Sequence, residues 1–391
     1  MINKDVIRRR ITCSTVAVLV LGLLLCGCNS ISDTPYNPVS DNTTPGINVD
    51  QLIEAAGITS AAQQSESSSS SEISETAGVT SESTDNTTED TARNIVTVTF
   101  LGDITLCSEA RSSNSPNGFN KVVAGDMDYC FKNCKQIFAS DDLTIANLEG
   151  AVTTSEEHKS KEFVFGMPPE NLQMLVNSSI EAVNLANNHT LDFLDKGYKD
   201  TKSNLESYGI LWSDQYHTAT YQVGDYMIGM FGICDWDNPN LAYKRIDELK
   251  LKGCNIIIAT CHWGKEASYE PTSNQIYLGH CLIDHGVDIV VGGHPHRLQP
   301  IEKYKDKWIV HSISNFCFGG NTSLSDPDTV ILQCKFVMDE NTHNCVDYKL
   351  NIIPYSQTGR SGNDYCPVPY EWGSSRYYKV LSRLGWSQED E

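Results

Sequence analysis

The sequence is poor in positive charge, most of all near its amino terminus. Residues 29–93 contain no lysine and one arginine, Arg93, and the whole chain has a formal net charge of −21 at pH 7. Proteins that bind nucleic acid need clustered lysine and arginine side chains to neutralise phosphates. We therefore expect no nucleic-acid partner.

The apolar run at residues 16–25 is too short to cross a bilayer as a helix, which needs about 20 residues. A basic segment with Lys4 and Arg8 precedes it, and this combination is typical of a secretory signal. The sequence LCGC at residues 25–28 resembles the bacterial lipobox, which implies cleavage before Cys28 and its acylation. An uncleaved anchor and an ordinary secretory cleavage are the alternatives. The lipobox places the mature chain on the extracellular face of the bacterial membrane, anchored by lipid.

Large apolar residues are almost absent from residues 65–91, where only Ile73 and Val79 occur among serine, threonine and acidic residues. Such a segment buries too little apolar surface to offset the entropy of ordering it. We therefore expect it to be part of a disordered tether. The predicted organisation is a signal peptide (1–27), an acidic tether (28–93) and one folded domain (94–391).

Cysteine pairs with CxxC spacing are also missing from the predicted domain. Eleven cysteines follow Cys28, an odd number without any CxxC spacing, which argues against a disulfide scaffold or a zinc ribbon. Several lie within or beside apolar runs, where we expect them to act as small buried hydrophobic residues. These are Cys254, Cys261, Cys281, Cys317 and Cys334.

Apolar, β-branched runs alternate with helix-like segments in the predicted domain, which indicates an α/β fold with buried strands. The predicted strands are residues 95–101, 143–146, 182–185, 227–233, 256–260, 287–291 and 308–313, and the predicted helices include residues 169–178, 195–208 and 273–285. The aromatic residues near the carboxyl terminus, Tyr365, Tyr370, Trp372 and Trp386, are expected at the surface.

Five of these runs end in residues whose side chains bind metals or catalyse proton transfer. They are Asp103, then Asn147 and Glu149, then Asn188, His189 and Asp192, then His262 and Glu266, and finally His294 and His296. Because ligands bind at the carboxyl ends of strands in α/β folds, we expect these residues to share one crevice. Single examples are explained by turn chemistry, but five clusters are not. We expect Asn147 and Glu266 to contact the substrate.

Imidazole, carboxylate and amide groups together suit a divalent transition metal such as Mn, Zn or Fe. The candidates exceed what one tetrahedral ion needs, so one or two ions are expected.

Six strings resemble the CapA family of capsule-biosynthesis proteins, also described as poly-γ-glutamate synthesis accessory proteins. In order they are FLGDITL, NLEG, NLANNHTLDF, CHWGKE, GGHPHRLQP and HSISNF. The family is similar in fold to calcineurin-like metallophosphoesterases. The resemblance therefore implies a layered α/β/β/α sandwich with a metal centre.

The resemblance also implies a role for each matching residue. Glu149 takes the place of a bridging carboxylate, and His189 that of a general acid beside the amide ligand Asn188. We add Asp192 as the group that orients the His189 ring. The implied metal ligands are Asp103, Glu149, Asn188, His262, His294 and His296.

The sequence departs from the phosphoesterase pattern at three places. Thr105 stands where a histidine ligand is usual, which leaves one metal position short of a ligand. An arginine that often follows the first motif is displaced to Arg111. The last motif reads GGHPH where GHHPH is common, although both terminal histidines remain.

Three functions are compatible with these features. The first is a cell-surface, metal-dependent hydrolase of phosphoester or amide bonds. The second is a non-catalytic factor that assembles or anchors an anionic polymer such as poly-γ-glutamate, with a vestigial metal site. The third is a solute-binding lipoprotein, which does not need the histidine-rich strand ends. The expected partners are the membrane, through the lipid anchor, and an anionic surface polymer or the capsule synthesis machinery.

Overall fold

The computed structural model describes residues 94–110, 113–234 and 239–387. The predicted signal peptide, Cys28, the predicted tether and Arg111 lie outside the described residues. Within the described ranges, no helix combines the length and the apolar character that crossing a membrane requires.

The described residues alternate between strands and helices. The strands are β1 (Ile95–Thr105), β2 (Leu143–Leu148), β3 (Ala151–Val152), β4 (Gly166–Met167), β5 (Ala182–Asn184), β6 (Leu211–Ser213), β7 (Ala219–Val223), β8 (Tyr226–Cys234), β9 (Ile256–His262), β10 (Ile289–Gly293), β11 (Leu298–Tyr304), β12 (Lys307–Ile313), β13 (Asn315–Phe318), β14 (Asp328–Met338), β15 (Cys345–Ser356) and β16 (Val368–Pro369). The helices are α1 (Phe119–Val123), α2 (Lys135–Phe138), α3 (Gln173–Val176), α4 (Leu194–Ser207), α5 (Pro239–Leu251), α6 (Ser273–Asp284) and α7 (Ser375–Arg383), and a 3₁₀ turn (Pro169–Leu172) precedes α3.

Two large sheets organise the domain. The first sheet has the order β16-β15-β14-β1-β2-β5-β6, with β13 beside the end of β1, and β1, β2, β5 and β6 run parallel. The second sheet has the order β11-β12-β10-β9-β8-β7, and β8, β9, β10 and β12 run parallel. A small β3-β4 pair lies apart from both sheets.

The two sheets pack against each other through aliphatic and aromatic side chains, including Val98, Phe100, Ile228 and Ile258. The other face of the second sheet is covered by α5 and α6, which bury residues such as Ile246 and Leu282. Helices α1 to α4 contribute to the core on the outer face of the first sheet. Burying each such side chain contributes about 1.5–3 kcal/mol. The architecture is the expected α/β/β/α sandwich.

Each predicted strand forms, with ends that shift by a few residues. The predicted helix at 169–178 is wrong in type, because its first turn is 3₁₀ and only Gln173–Val176 is α-helical. The β14–β15 hairpin was not expected and forms one side of the first sheet. All eleven cysteines in the described ranges are free, as expected, although Cys254 and Cys281 are only partly buried.

The expectation of a surface role for the carboxyl-terminal aromatic residues is wrong at two positions. Tyr365 is fully buried and packs edge-on against Phe119, with ring centroids 5.2 Å apart. Trp386 is buried against Trp308, at 5.3 Å between ring centroids. Trp372 is exposed, as expected.

Candidate metal centre

Asp103 lies near the carboxyl end of β1, between two parallel neighbours. The strand register places it opposite Asn147 on one side and Asn315 on the other, and the register of both strand pairs is irregular at Asp103. Such irregularities change the direction of a side chain and are frequent beside active sites. The Asp103 backbone N–H donates to the Ser314 carbonyl at 3.1 Å. Gly102 permits this approach, because a Cβ there would lie 2.0 Å from the same oxygen.

The second sheet reaches Asp103 through the turn that follows β10. Gly293 pairs with His262 at the end of β9, and a Cβ on Gly293 would lie 2.4 Å from Asp103 Oδ1. The next backbone N–H, that of His294, donates to Asp103 Oδ2 at 3.0 Å. His294 and His296 have positive φ angles of 88° and 53°. Non-glycine residues adopt this region at an energetic cost, and residues strained in this way cluster at functional sites.

The first group of potential ligands consists of Asp103, Glu149 and His296, with one donor atom of each within 4.8 Å of the others. Both carboxylate oxygens of Glu149 are buried and accept no hydrogen bond within the described part of the chain. Burial raises the pKa of the Glu149 carboxyl, and the negative charge of Asp103 raises it further. An unpaired buried carboxylate is costly, and a bound cation removes that cost.

A second group surrounds Nε2 of His262. Asn188 Oδ1 lies 2.9 Å from this nitrogen and His294 Nδ1 lies 3.0 Å from it. Glu149 Oε1 is 4.0 Å away. A neutral ring has only one N–H, so hydrogen bonding cannot satisfy all of these closely spaced lone pairs. A cation shared by the atoms satisfies them together.

Charge interactions differ sharply among these residues. Burial raises the pKa of Asp103, but the His262 and His296 rings, whose Nδ1 atoms lie 3.7 and 3.4 Å from its carboxylate oxygens, outweigh burial and hold that pKa well below its usual range. Burial opposes protonation of His296, yet the Asp103 carboxylate, 3.4 Å from Nδ1, and the charge of Glu149 raise its pKa to about 9. Burial, followed by the neighbouring His262 and His296, lowers the pKa of His294 to about 3. His294 is therefore neutral at pH 7, as a metal ligand must be.

The donor set fits one or two divalent ions, because it combines buried carboxylates, imidazoles and an amide oxygen. Glu149 belongs to one group and lies 4.0 Å from the central nitrogen of the other. The first group has only three candidate ligands among the described residues. Thr105, which stands where a histidine ligand is usual in phosphoesterases, donates its hydroxyl hydrogen to the Glu149 backbone carbonyl at 2.8 Å.

His189 and Asp192 form a pair beside these ligands. His189 Nδ1 is 2.8 Å from Asp192 Oδ2, and His189 Nε2 points toward Glu149 Oε1 at 3.7 Å. The same Asp192 oxygen accepts the Phe165 backbone N–H at 2.9 Å, and Oδ1 lies 2.5 Å from Lys161 Nζ in an ion pair. The Phe165 ring packs against the His189 ring, with centroids 4.5 Å apart. His189 is thus fixed at Nδ1, with Nε2 toward the ligand cluster.

Asn147 lies inside the cluster. Its Nδ2 donates to Asp103 Oδ1 at 2.7 Å and lies 3.1 Å from His262 Nδ1, and its Oδ1 accepts from Asn184 Nδ2 at 2.9 Å. Both ends of the amide are therefore engaged by protein groups, which favours a role in positioning Asp103 and His262. Glu266 is exposed and lines a surface pocket that includes His296 and Asn315.

Sequence reasoning missed several residues that hold the ligands in place. Asn315 Oδ1 lies 2.6 Å from His296 Nδ1, and Asn187 donates to the Leu148 carbonyl at 2.9 Å. Asn184, Asn187 and Asn315 lie within or beside the motifs quoted above, so their position was a usable signal. Lys161 lies in a polar segment that carries no such signal.

The fold and the donor set together define an α/β/β/α protein with a cluster of potential metal ligands, which lies where the parallel strands of two mixed sheets end. Residues 97–320 match the family model described as bacterial capsule synthesis protein PGA_cap. The chain belongs to this family.

Two curated relatives are similar over much of the chain. The PGA biosynthesis protein CapA of Bacillus subtilis is 29% identical over 250 residues, which cover 57% of this chain and 63% of that protein. The capsule biosynthesis protein CapA of Bacillus anthracis is 26% identical over 331 residues, which cover 76% of each chain. The chain therefore matches less than two thirds of the Bacillus subtilis relative.

Solved structures with a similar course of the chain include two nucleotidases. A 5′-nucleotidase precursor from Thermus thermophilus has a TM-score of 0.41 and 14% identity, covering 74% of this chain and 57% of that chain. The NAD nucleotidase of Haemophilus influenzae has a TM-score of 0.42 and 12% identity, covering 75% of this chain and 63% of that chain.

Proposed function

We propose that this protein is a metal-dependent hydrolase of the bacterial cell envelope that processes an anionic capsule polymer such as poly-γ-glutamate. One observation carries the hydrolase proposal: the buried carboxylate of Glu149 has no hydrogen bond within the described residues and lies beside Asp103 and His296. The polymer is proposed from the family's description and from the names of its Bacillus relatives.

The proposed ligands are Asp103, Glu149 and His296 for one ion, and Glu149, Asn188, His262 and His294 for another. A divalent ion there supplies Lewis acidity and lowers the pKa of a bound water. His189 donates a proton to the leaving group from Nε2, because Nδ1 is held by Asp192. Asn147 keeps Asp103 and His262 in place through its amide.

The proposal is tested by measuring bound metal and turnover on the same samples. The purified full chain is reconstituted separately with Mn, Zn and Fe, and is assayed on a panel of phosphoesters and γ-glutamyl polymers. The double variant H294A/H296A is the control, since it removes two imidazole ligands. We expect metal and turnover in the wild type and neither in the variant. Wild type without metal after reconstitution contradicts the proposal.

A non-catalytic assembly factor is the second candidate, and Thr105 favours it. Because Thr105 bonds to a backbone carbonyl, the first ligand group is one side chain short of the phosphoesterase pattern. A protein that binds metal but turns over none of the phosphoesters and γ-glutamyl polymers supports the assembly factor. Binding of a small solute without metal supports a solute-binding lipoprotein instead.

We also propose that Cys28 carries a lipid anchor and that a disordered tether links it to the domain beginning near residue 94. The LCGC sequence at residues 25–28 and the polar composition of residues 28–93 support these two steps. C28A is expected to release the protein from the membrane fraction or to block its processing. Limited proteolysis is expected to cut before residue 94 first. Unchanged lipid labelling of the variant, or a protease-resistant segment at 29–93, contradicts the corresponding step.

A further inference from the structure

A surface pocket adjoins the metal-ligand cluster and has its own charged side chains. It is lined by Glu266, His296, Arg297, Asn315, Asn321 and Ser325, among others. His296 belongs to the first group of potential ligands, so a molecule in this pocket lies next to the proposed metal centre. The pocket therefore has the position of a substrate subsite.

Arg297 is the cation that lines this pocket, and its guanidinium contacts only neutral acceptors. Nη1 donates to the His296 carbonyl at 2.7 Å, and Nη2 donates to Ser325 Oγ at 2.8 Å. These bonds fix the half-buried side chain beside the metal ligand, while several of its N–H groups remain available. Within the described ranges, no carboxylate lies within ion-pair distance of Arg297.

The nearby acidic side chains are neutralised by a different arginine. Arg383 Nη1 lies 2.6 Å from Asp326 Oδ2 and 2.6 Å from Asp328 Oδ2. Asp326 also lines the pocket, and its pairing with Arg383 means that it does not serve as the counter-charge of Arg297. A fixed guanidinium without a counter-ion is suited to a carboxylate or phosphate of a ligand, which it can bind through two parallel hydrogen bonds.

Glu266 gives the pocket a compensating negative charge. Its carboxylate is exposed and makes no hydrogen bond or ion pair with the described residues. With Asp326 paired to Arg383 and His296 neutral once it binds metal, Arg297 and Glu266 are the charged lining side chains that remain to face a ligand. One positive and one negative side chain together match a ligand that carries a carboxylate and an ammonium group.

We propose that this pocket binds the terminal α-amino-acid unit of the substrate, with Arg297 at its carboxylate and Glu266 at its ammonium group. The assignment of this unit to a substrate rests on the proposed hydrolase function. Only the amino-terminal unit of a polyamide chain has a free ammonium group. The pocket therefore directs the reaction to that end of the polymer.

The binding step is tested by titration calorimetry on the metal-loaded full chain. The probes are glutamate, N-acetylglutamate, which lacks the ammonium group, and inorganic phosphate. R297Q is expected to weaken glutamate binding by about 10- to 100-fold without changing metal content, because it removes charge-assisted hydrogen bonds. R297K is expected to retain part of the affinity and guards against a folding defect in R297Q.

Glu266 is tested by a selectivity ratio. Because its carboxylate is exposed, E266Q is expected to weaken glutamate binding by only about 2- to 5-fold and to leave N-acetylglutamate unaffected. For R297Q, the matched control is K335Q, which also removes one positive charge, since Lys335 is an exposed cation of β14. Wild-type glutamate affinity in R297Q, or phosphate binding that is tighter than glutamate binding and needs Arg297, overturns the proposal.

Failure of this inference is distinguishable from failure of the proposed function. Glutamate binding that depends on Arg297 in a protein without turnover supports the subsite and contradicts the hydrolase. Turnover of γ-glutamyl polymers with the same KM in wild type and R297Q supports the hydrolase and contradicts the subsite.

Discussion

Asp192 and Glu149 lie near opposite nitrogens of the His189 ring, and both carboxylates are buried but differ in their partners. Asp192 faces the His189 ring, the Phe165 backbone N–H and the Lys161 ammonium. Glu149 accepts no hydrogen bond from the described residues. Both groups are fully shielded from solvent. The protein thus neutralises the charge of Asp192 with its own groups, whereas the charge of Glu149 faces only the other potential metal ligands.

The difference separates two kinds of function within one site. Asp192 Oδ2 is hydrogen-bonded, and Oδ1, which accepts no hydrogen bond within the described residues, is neutralised by its ion pair with Lys161. A carboxylate neutralised in this way by protein groups is suited to hold another side chain, here His189, in a fixed orientation. A buried carboxylate without a partner is costly unless a cation binds it. We therefore expect Asp192 to belong to the fixed framework of the site and Glu149 to be the group whose energy depends most on a bound metal.

The largest expected effect is that of E149Q. The metal-loaded protein should lose more than about 100-fold in metal affinity, since even residues behind the ligands account for 10- to 100-fold. Elemental analysis and competition with a chelator measure this loss. E156Q is the matched control, because Glu156 is exposed. Equal metal content in E149Q and E156Q would remove Glu149 from the ligand set.

The same pair of carboxylates predicts stability changes of opposite sign in the metal-free protein. E149Q removes an unpaired charge and should raise the free energy of unfolding by about 1–3 kcal/mol. D192N weakens the contacts with His189 and Lys161 and should lower it by a similar amount. The pKa of Glu149 is raised above its usual 4.5. Its cost is therefore absent below pH 4.5 and develops as the pH rises through the raised pKa. Urea unfolding at several pH values measures both changes, and a loss of stability in E149Q at about pH 8, above the usual carboxyl range, contradicts the comparison.

The next prediction assigns different roles to two adjacent residues, Asn188 and His189. Asn188 Oδ1 lies 2.9 Å from His262 Nε2, whereas His189 is held by Asp192. We expect N188A to lose metal and activity together. H189A should keep its metal and lose activity by about 10²- to 10⁴-fold, least for substrates with good leaving groups, because general acid catalysis contributes this much. Metal loss in H189A, or full activity on poor leaving groups, refutes the division of roles.

A smaller expected effect is a pH dependence of metal binding. The pKa of His296 in the metal-free protein is raised to about 9, so its ring is protonated at pH 7 and must lose a proton to bind metal. The apparent affinity should therefore rise by about tenfold per pH unit up to about pH 9 and then level off. H296A should flatten this dependence. A wild-type affinity that is constant from about pH 7 to pH 9 contradicts it.

The meeting of these side chains in one place could be predicted from sequence, because each residue of a metal-binding type closely follows an apolar, β-branched run or lies at its end. Asp103, Glu149 and His262 are examples, and parallel strands bring their carboxyl ends to one edge. Strand β15 was missed for the opposite reason. Its exposed face carries Asp347 and Lys349, so its sequence lacks a continuous apolar run.

The supporting contacts could not be predicted, because they depend on how distant segments meet. Lys161 belongs to the polar connection between β3 and β4, and nothing in its neighbourhood indicates a partner. Only the fold brings it to Asp192. Similarly, the local sequence indicated that Asn147 is near the site, but only the packing of both sheets engages its amide with His262 and Asp103.

The smallest expected effect is that of K161Q, and it tests how much Asp192 depends on each of its partners. Lys161 Nζ lies 2.5 Å from Asp192 Oδ1 and donates to the Asn188 carbonyl at 3.2 Å, but its side chain is 30% exposed. Ion pairs with an exposed partner contribute about 0.2–1 kcal/mol, so stability should fall by no more than this. His189 Nδ1 and the Phe165 N–H still engage the other oxygen, so kcat should fall only a few-fold and metal content should not change. K199Q, on the exposed face of α4, controls for the loss of charge. A decrease in kcat as large as that of H189A would mean that Lys161 contacts the substrate and that Asp192 alone does not hold the His189 ring.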